Sequence, residues 1–135
     1  MTRKSTQERI EASLARSEAK VFVRRDFARF GSESQIGRAL AALVAKGALA
    51  RVGRGIYVKA RPSSLTGNPV PVIPLTEIGL LALAKLGVQA DLGASARAYN
   101  EGRTTQIPMA TVLSVGSARI SRKIGFGKQV IRFER

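Results

Sequence analysis

The sequence predicts an α+β protein: an N-terminal winged helix-turn-helix, then a small C-terminal lobe of one or two helices and an antiparallel β meander. Three observations predict it. A helical apolar stripe over Glu33–Lys46 is followed at once by two short strand-like runs around Gly53-Arg54-Gly55. Four of the five prolines fall within residues 61–74 and divide the chain. Beyond them, an apolar helical block gives way to alternating residues of strand type.

The elements follow in order. Residues 6–18 predict a first helix, with Ser5 or Thr6 as N-cap and Ile10 and Leu14 on one face. Val21–Val23 predicts a short strand, and Asp26 a cap for a short helix at 27–30 that Gly31 stops. In Glu33–Lys46, Ile36, Ala39, Leu40, Leu43 and Val44 recur at i, i+3, i+4, i+7 and i+8, the spacing of a buried stripe. Ser32 or Ser34 starts this helix and Gly47 ends it. Residues 49–52 and 56–58 predict a hairpin with Arg54 at its tip. Proline fixes φ and has no N–H to donate, so residues 62–74 predict an extended surface linker between domains 1–61 and 75–135. Residues 75–86 predict a helix that is apolar almost all round and therefore buried, and 92–100 a second short helix. Ile107, Met109, Thr111, Leu113 and Val115 alternate on one strand face. Strands at 117–124 and 128–135, joined by Gly125-Phe126-Gly127, complete the meander.

Charge narrows the function. The 135 residues hold 23 Lys and Arg against 9 Asp and Glu, a formal net of +14. Residues 1–61 carry 14 basic and 5 acidic side chains, a net of +9; residues 62–118 are neutral overall; residues 119–135 carry six basic residues and Glu134, a net of +5. Such an excess points to a polyanionic partner. There is no Cys and no His. Disulfides, thiolate or imidazole metal sites and His-based acid–base chemistry are thereby excluded, so no enzyme, metal or cofactor is expected. The longest apolar runs are too short to cross a bilayer, and no signal core follows Arg3 and Lys4. The chain is therefore expected in the cytoplasm, at the nucleoid, with no membrane partner.

The order helix, strand, short helix, turn, helix, hairpin is that of a winged helix-turn-helix, whose second helix enters a major groove about 12 Å wide. Gln35 and Arg38 share a face away from the apolar stripe and are the candidates for reading adenine and guanine. Ser32 and Ser34 lie where a helix N-terminus favours phosphate. Arg54 is the wing-tip candidate for a minor groove or a phosphate. Arg24, Arg25, Arg51 and Lys59 flank the site as phosphate contacts. If 117–124 is a strand, Arg119, Ser121 and Lys123 share one face, and with Lys128 they form a second basic patch. Alone, Gln35 and Arg38 read equally well as a solvated helix face, the Gly-Arg-Gly turn more readily as structural, and Arg24 and Arg25 as ordinary surface charge. Their order within a +9 segment is what makes them a candidate interface.

Several stretches resemble AbiEi-type antitoxins of type IV toxin–antitoxin and abortive-infection systems. They are Val21-Phe22-Val23, Asp26-Phe27, Phe30-Gly31-Ser32, the run Leu40-Ala41-Ala42-Leu43-Val44-Ala45-Lys46-Gly47, and Arg51-Val52-Gly53-Arg54-Gly55-Ile56-Tyr57. Beyond the prolines, residues 96–100, Gly102 and Thr104-Thr105-Gln106-Ile107-Pro108 resemble that family's C-terminal segment. The resemblance implies a bacterial repressor that binds inverted repeats in its own promoter, with a nucleotidyltransferase-like toxin as possible partner. This chain is short for that family, and Gly37 stands where relatives more often carry a polar residue. The function expected from the sequence is thus a sequence-specific double-stranded DNA-binding transcriptional regulator, an autoregulating antitoxin-like repressor. The alternatives are an antitoxin or adaptor acting mainly through its C-terminal lobe, and a basic RNA-associated protein.

Overall fold

The protein is α+β. A computed structural model describes residues 5–93, 102, 112–120 and 122–134. The chain forms two compact units: Met1–Arg51 with Gly55–Val72, and Val52–Arg54 with Ile73–Arg135.

The first unit begins with α1, Thr6–Arg16. The Ser5 hydroxyl accepts the Glu8 amide while the Glu8 carboxylate accepts the Ser5 amide, so two otherwise unpaired N–H groups are satisfied reciprocally. The helix ends one turn's fraction short of residue 18, at an extended Ser17. Strand β1, Val21–Val23, is buried along its whole length. A 3-10 helix, Arg24–Phe30, follows, and the Asp26 carboxylate accepts the Val23 amide at its start. Helix α2, Glu33–Lys46, buries Ile36, Ala39, Leu40 and Leu43. Gly47 closes it in the left-handed conformation at φ 87°. Gly47 N donates to the Val44 carbonyl and Ala48 N to that of Leu43, which is a Schellman motif.

Strands β2 (Leu49–Gly53) and β3 (Ile56–Pro62) form the hairpin, with Gly55 at φ 71° in its turn. Strand β3 lies between β2 and β1, and its pairing with β1 is antiparallel, with Phe22 opposite Tyr57. Phe22, Phe27, Phe30, Tyr57, Ile10, Leu14 and the α2 stripe make one core, with the Phe22 and Phe27 rings 5.7 Å apart. This helix, strand, helix and hairpin arrangement is compatible with a winged helix.

The proline-rich segment departs from a plain linker. Pro62 ends β3, and Pro69–Pro71 return as β4, antiparallel to it with Arg61 opposite Val70. The turn is closed by Ser63 N on the Asn68 carbonyl (2.8 Å) and Gly67 N on that of Ser63 (2.9 Å). Proline is compatible with a strand at a sheet edge, where its missing donor leaves no ladder bond broken.

In the second unit, α3 spans Leu75–Lys85. It is buried on one side only, at Ile78, Gly79, Ala82 and Leu83, while Leu81 is 39% exposed. Strands β5 (Asp91–Leu92), β6 (Val112–Ser114) and β9 (Arg132–Glu134) form a sheet in which β6 is antiparallel to β5 but parallel to β9. The expected all-antiparallel meander is thus a mixed sheet. Leu92, expected to open a helix, is in β5; the rest of that expected helix lies outside the described residues. So do Ile107, Met109 and Thr111 of the expected long strand.

Residues 117–120 and 122–124 are not a strand. The hairpin here is β7 (Gly125–Phe126) with β8 (Gln129–Val130), so Gly125 and Phe126 are strand rather than loop. A Cβ at Gly125 would run into the Gln129 carbonyl, and Gly127, at φ 62°, makes the turn. Glycine is needed at 125 for close strand approach, a demand that composition cannot distinguish from a turn. Gly79 plays a similar part for α3: a Cβ there would lie 2.5 Å from Ile131 Cδ1 and 2.7 Å from Leu113 Cδ1.

Each core can be tested by itself. Leu40→Ala in the first unit should cost about 2–5 kcal/mol in denaturant unfolding. Gly79→Val should destabilise the second unit by about 1–3 kcal/mol through overpacking, read as faster amide exchange in β6 and β9.

Candidate nucleic-acid interface

The N-terminus of α2 is fixed by a small set of polar contacts around Phe30. The Phe30 carbonyl accepts Thr6 Oγ1 (3.3 Å) and Arg9 Nη1 (3.2 Å), both from α1. The Arg9 and Arg29 guanidinium carbons stand 5.2 and 4.6 Å from the Phe30 ring centroid, within cation–π range. Gly31 then lets Gln35 fold back, since a Cβ at residue 31 would lie 2.7 Å from Gln35 Oε1. Ser32 Oγ accepts the Gln35 amide and Gln35 Oε1 accepts the Ser32 amide, a second capping box.

This geometry revises the expected roles of two residues. With the box closed, Gln35 Oε1 is engaged, so Gln35 cannot make the two-point pairing with adenine that sequence reasoning gave it. Ser32 likewise starts the helix. Ser34, Gly37, Arg38 and Ala41 follow at i, i+3, i+4 and i+7 and form the outward face of α2; Ser34, Arg38 and Ala41 are exposed.

Arg24 is exposed, as expected of a contact residue, but it is also anchored. Its backbone N donates to the Gly55 carbonyl at the base of the hairpin turn (3.0 Å). Its guanidinium Nη2 donates to the Glu33 carbonyl in the first turn of α2. The guanidinium lies against Gly37: a Cβ there would be 3.0 Å from Nη2 and 3.6 Å from Nη1. Glycine inside a helix costs about 1 kcal/mol relative to alanine. The gap it leaves is occupied by Arg24. Sequence reasoning saw only a missing polar side chain at 37, because residues 24 and 37 come together through the tertiary fold.

Of the other candidates, Arg25 is exposed on the 3-10 helix, Arg51 on β2, and Arg54 in the hairpin turn. Lys59 is half-buried, and its Nζ donates to the Ser17 carbonyl (2.6 Å), so it serves the end of α1 rather than a phosphate. Burial, and secondarily the nearby Lys20 charge, hold its ammonium below the ordinary lysine range. In the second unit Arg119 and Lys123 are exposed on irregular backbone and Lys128 sits in the β7–β8 turn. Ser121 lies outside the described residues, and without a strand the shared-face ladder does not exist. Arg122 is exposed and donates to the Arg54 carbonyl (2.9 Å), a contact that sequence reasoning missed.

Among the described residues no cluster of three potential metal ligands occurs. None of their helices is long and apolar enough to cross a membrane. One surface concavity has Leu80, Ala84, Val88, Asp91 and Ser114 among its lining; no cation lines it among the described residues, and it is unsuited to a polyanion. The basic face of α2 and its neighbours, an arrangement compatible with a winged helix, is the stronger candidate. The chain matches DUF6088, a family of unknown function, over residues 9–135, and belongs to that family. No curated protein matches it.

The Lys59 environment yields a titration test. Its ammonium should titrate below the ordinary lysine range in NMR, and Lys20→Ala should restore only the smaller part of the shift. A lowered native pKa means that the native state binds fewer protons than the unfolded chain in the alkaline window between the two values. The Lys59 contribution to stability therefore rises with pH there.

Proposed function

We propose that this protein is a sequence-specific double-stranded DNA-binding transcriptional regulator. The observation that carries the reading is the outward face of α2. Its exposed Arg38 stands among small residues, with Arg24 docked beside it, in a segment of net charge +9. Small side chains let a helix approach the groove floor, and one arginine there can pair in two places with guanine O6 and N7. Arg25 and Arg51 supply charge for phosphate contacts, and Arg54 supplies it at the wing. The resemblance to AbiEi-type antitoxins adds autoregulation through inverted repeats in its own promoter, and a nucleotidyltransferase-like toxin as partner. With DNA as partner, the site of action is cytoplasmic and nucleoid-associated, and the lack of His and Cys supports a non-enzymatic role.

The test is a footprint on the DNA upstream of its own gene, with structured RNA as competitor. Protection of a discrete duplex site that RNA does not displace is expected; equal binding to RNA would overturn the proposal. Arg38→Ala should cost about 1–3 kcal/mol on that site and narrow the gap to non-specific DNA. Arg54→Ala should weaken binding with less loss of discrimination.

Salt dependence offers an independent check. With about 6 phosphate contacts, log K against log salt should fall with a slope of about −5 in anisotropy titrations. A slope near zero would remove the electrostatic basis of the reading.

A further inference from the structure

We propose that Arg24 contacts DNA from the notch that Gly37 leaves in α2, supplying from the 3-10 helix the cation that the helix lacks at that position. The inference rests on the DNA-binding reading. Three observations carry it. First, Arg24 is held at both ends: its backbone N on the Gly55 carbonyl (3.0 Å) and its Nη2 on the Glu33 carbonyl. An arginine tied down in this way loses less conformational freedom on binding than one on an open surface. Second, the guanidinium lies against Gly37, which shares a helix face with Ser34, Arg38 and Ala41. A side chain at 37 longer than a methyl would claim that space, since a Cβ there is already 3.0 Å from Nη2. Third, Arg24 is exposed although it is anchored. A guanidinium has five N–H donors in a fixed fork, and the Glu33 carbonyl engages Nη2. The outer edge of the fork can therefore address a paired acceptor on DNA, either guanine O6 and N7 or two phosphate oxygens.

The arrangement separates Gly37 from an ordinary helix-weakening glycine. Leucine is a good helix former, so Gly37→Leu raises helix propensity, yet its side chain fills the notch and should push the guanidinium off α2. The experiment compares wild type, Gly37→Leu, Arg24→Ala and the double variant. Each is titrated against the footprinted operator duplex and a scrambled duplex, with urea unfolding as a control for folding. The expected result is a loss of about tenfold or more in operator affinity for each single variant, and a double variant no weaker than Arg24→Ala. Arg24→Lys then distinguishes the acceptors. If affinity for both duplexes falls together and lysine largely restores it, the contact is to phosphate. If discrimination is lost and lysine does not restore it, the contact is to guanine, because only the planar fork pairs in two places. Operator binding unchanged in Gly37→Leu, with the chain folded, would overturn the proposal, as would additive losses in the double variant. Failure of wild type to bind any duplex would instead overturn the DNA-binding reading itself.

Discussion

The Phe30 carbonyl is the point from which the first unit is organised. It takes donors from Thr6 and Arg9, and the ring behind it is buried under two guanidinium groups. These contacts tie α1 to the turn before α2. The turn in turn allows the Gln35 side chain to close on Ser32. The direction of α2, and therefore which of its residues face outward, follows from a few hydrogen bonds made before the helix begins. The hydrophobic stripe at Ile36, Leu40 and Leu43 supplies most of the stabilisation, being buried almost completely. It fixes the rotation of the helix about its axis. The Phe30 contacts fix where its N-terminus lies.

Features set by local chemistry were legible in the sequence. Ser5 with Glu8 and Ser32 with Gln35 are capping pairs at the right spacing, and Gly47 stands where the apolar period stops. The hairpin at Gly55 needs only two β-type runs and a residue tolerant of positive φ. Features set by distant contacts were not legible. Nothing in residues 117–124 indicates that their alternation is accidental; that depends on β9 pairing parallel to β6, and on Gly125 meeting Gln129. Prolines marked 62–74 as extended, yet pairing with β3 follows from where that strand ends.

The candidate site shows the same division. Arg38, Arg51 and Arg54 are exposed as their positions in helix and hairpin imply. Gln35 and Lys59 carry suitable chemistry but use it within the protein, on Ser32 and Ser17. Residue type alone cannot separate a donor that faces a ligand from one that closes a helix end. The converse holds for Gly37, which has no side chain to recommend it and matters through the arginine it accommodates.

Strand β4 has a consequence for the protein in a crowded solution. Two of its three residues are proline, so this short strand carries a single amide N–H, that of Val70. A foreign strand seeking to add to this edge would find almost no donors to pair with, and the ladder could not propagate. The chain thus ends its N-terminal sheet with residues that resist recruitment into larger β assemblies. On the proposed reading, in which copies gather along one polyanion, such an edge keeps close neighbours from joining sheet to sheet.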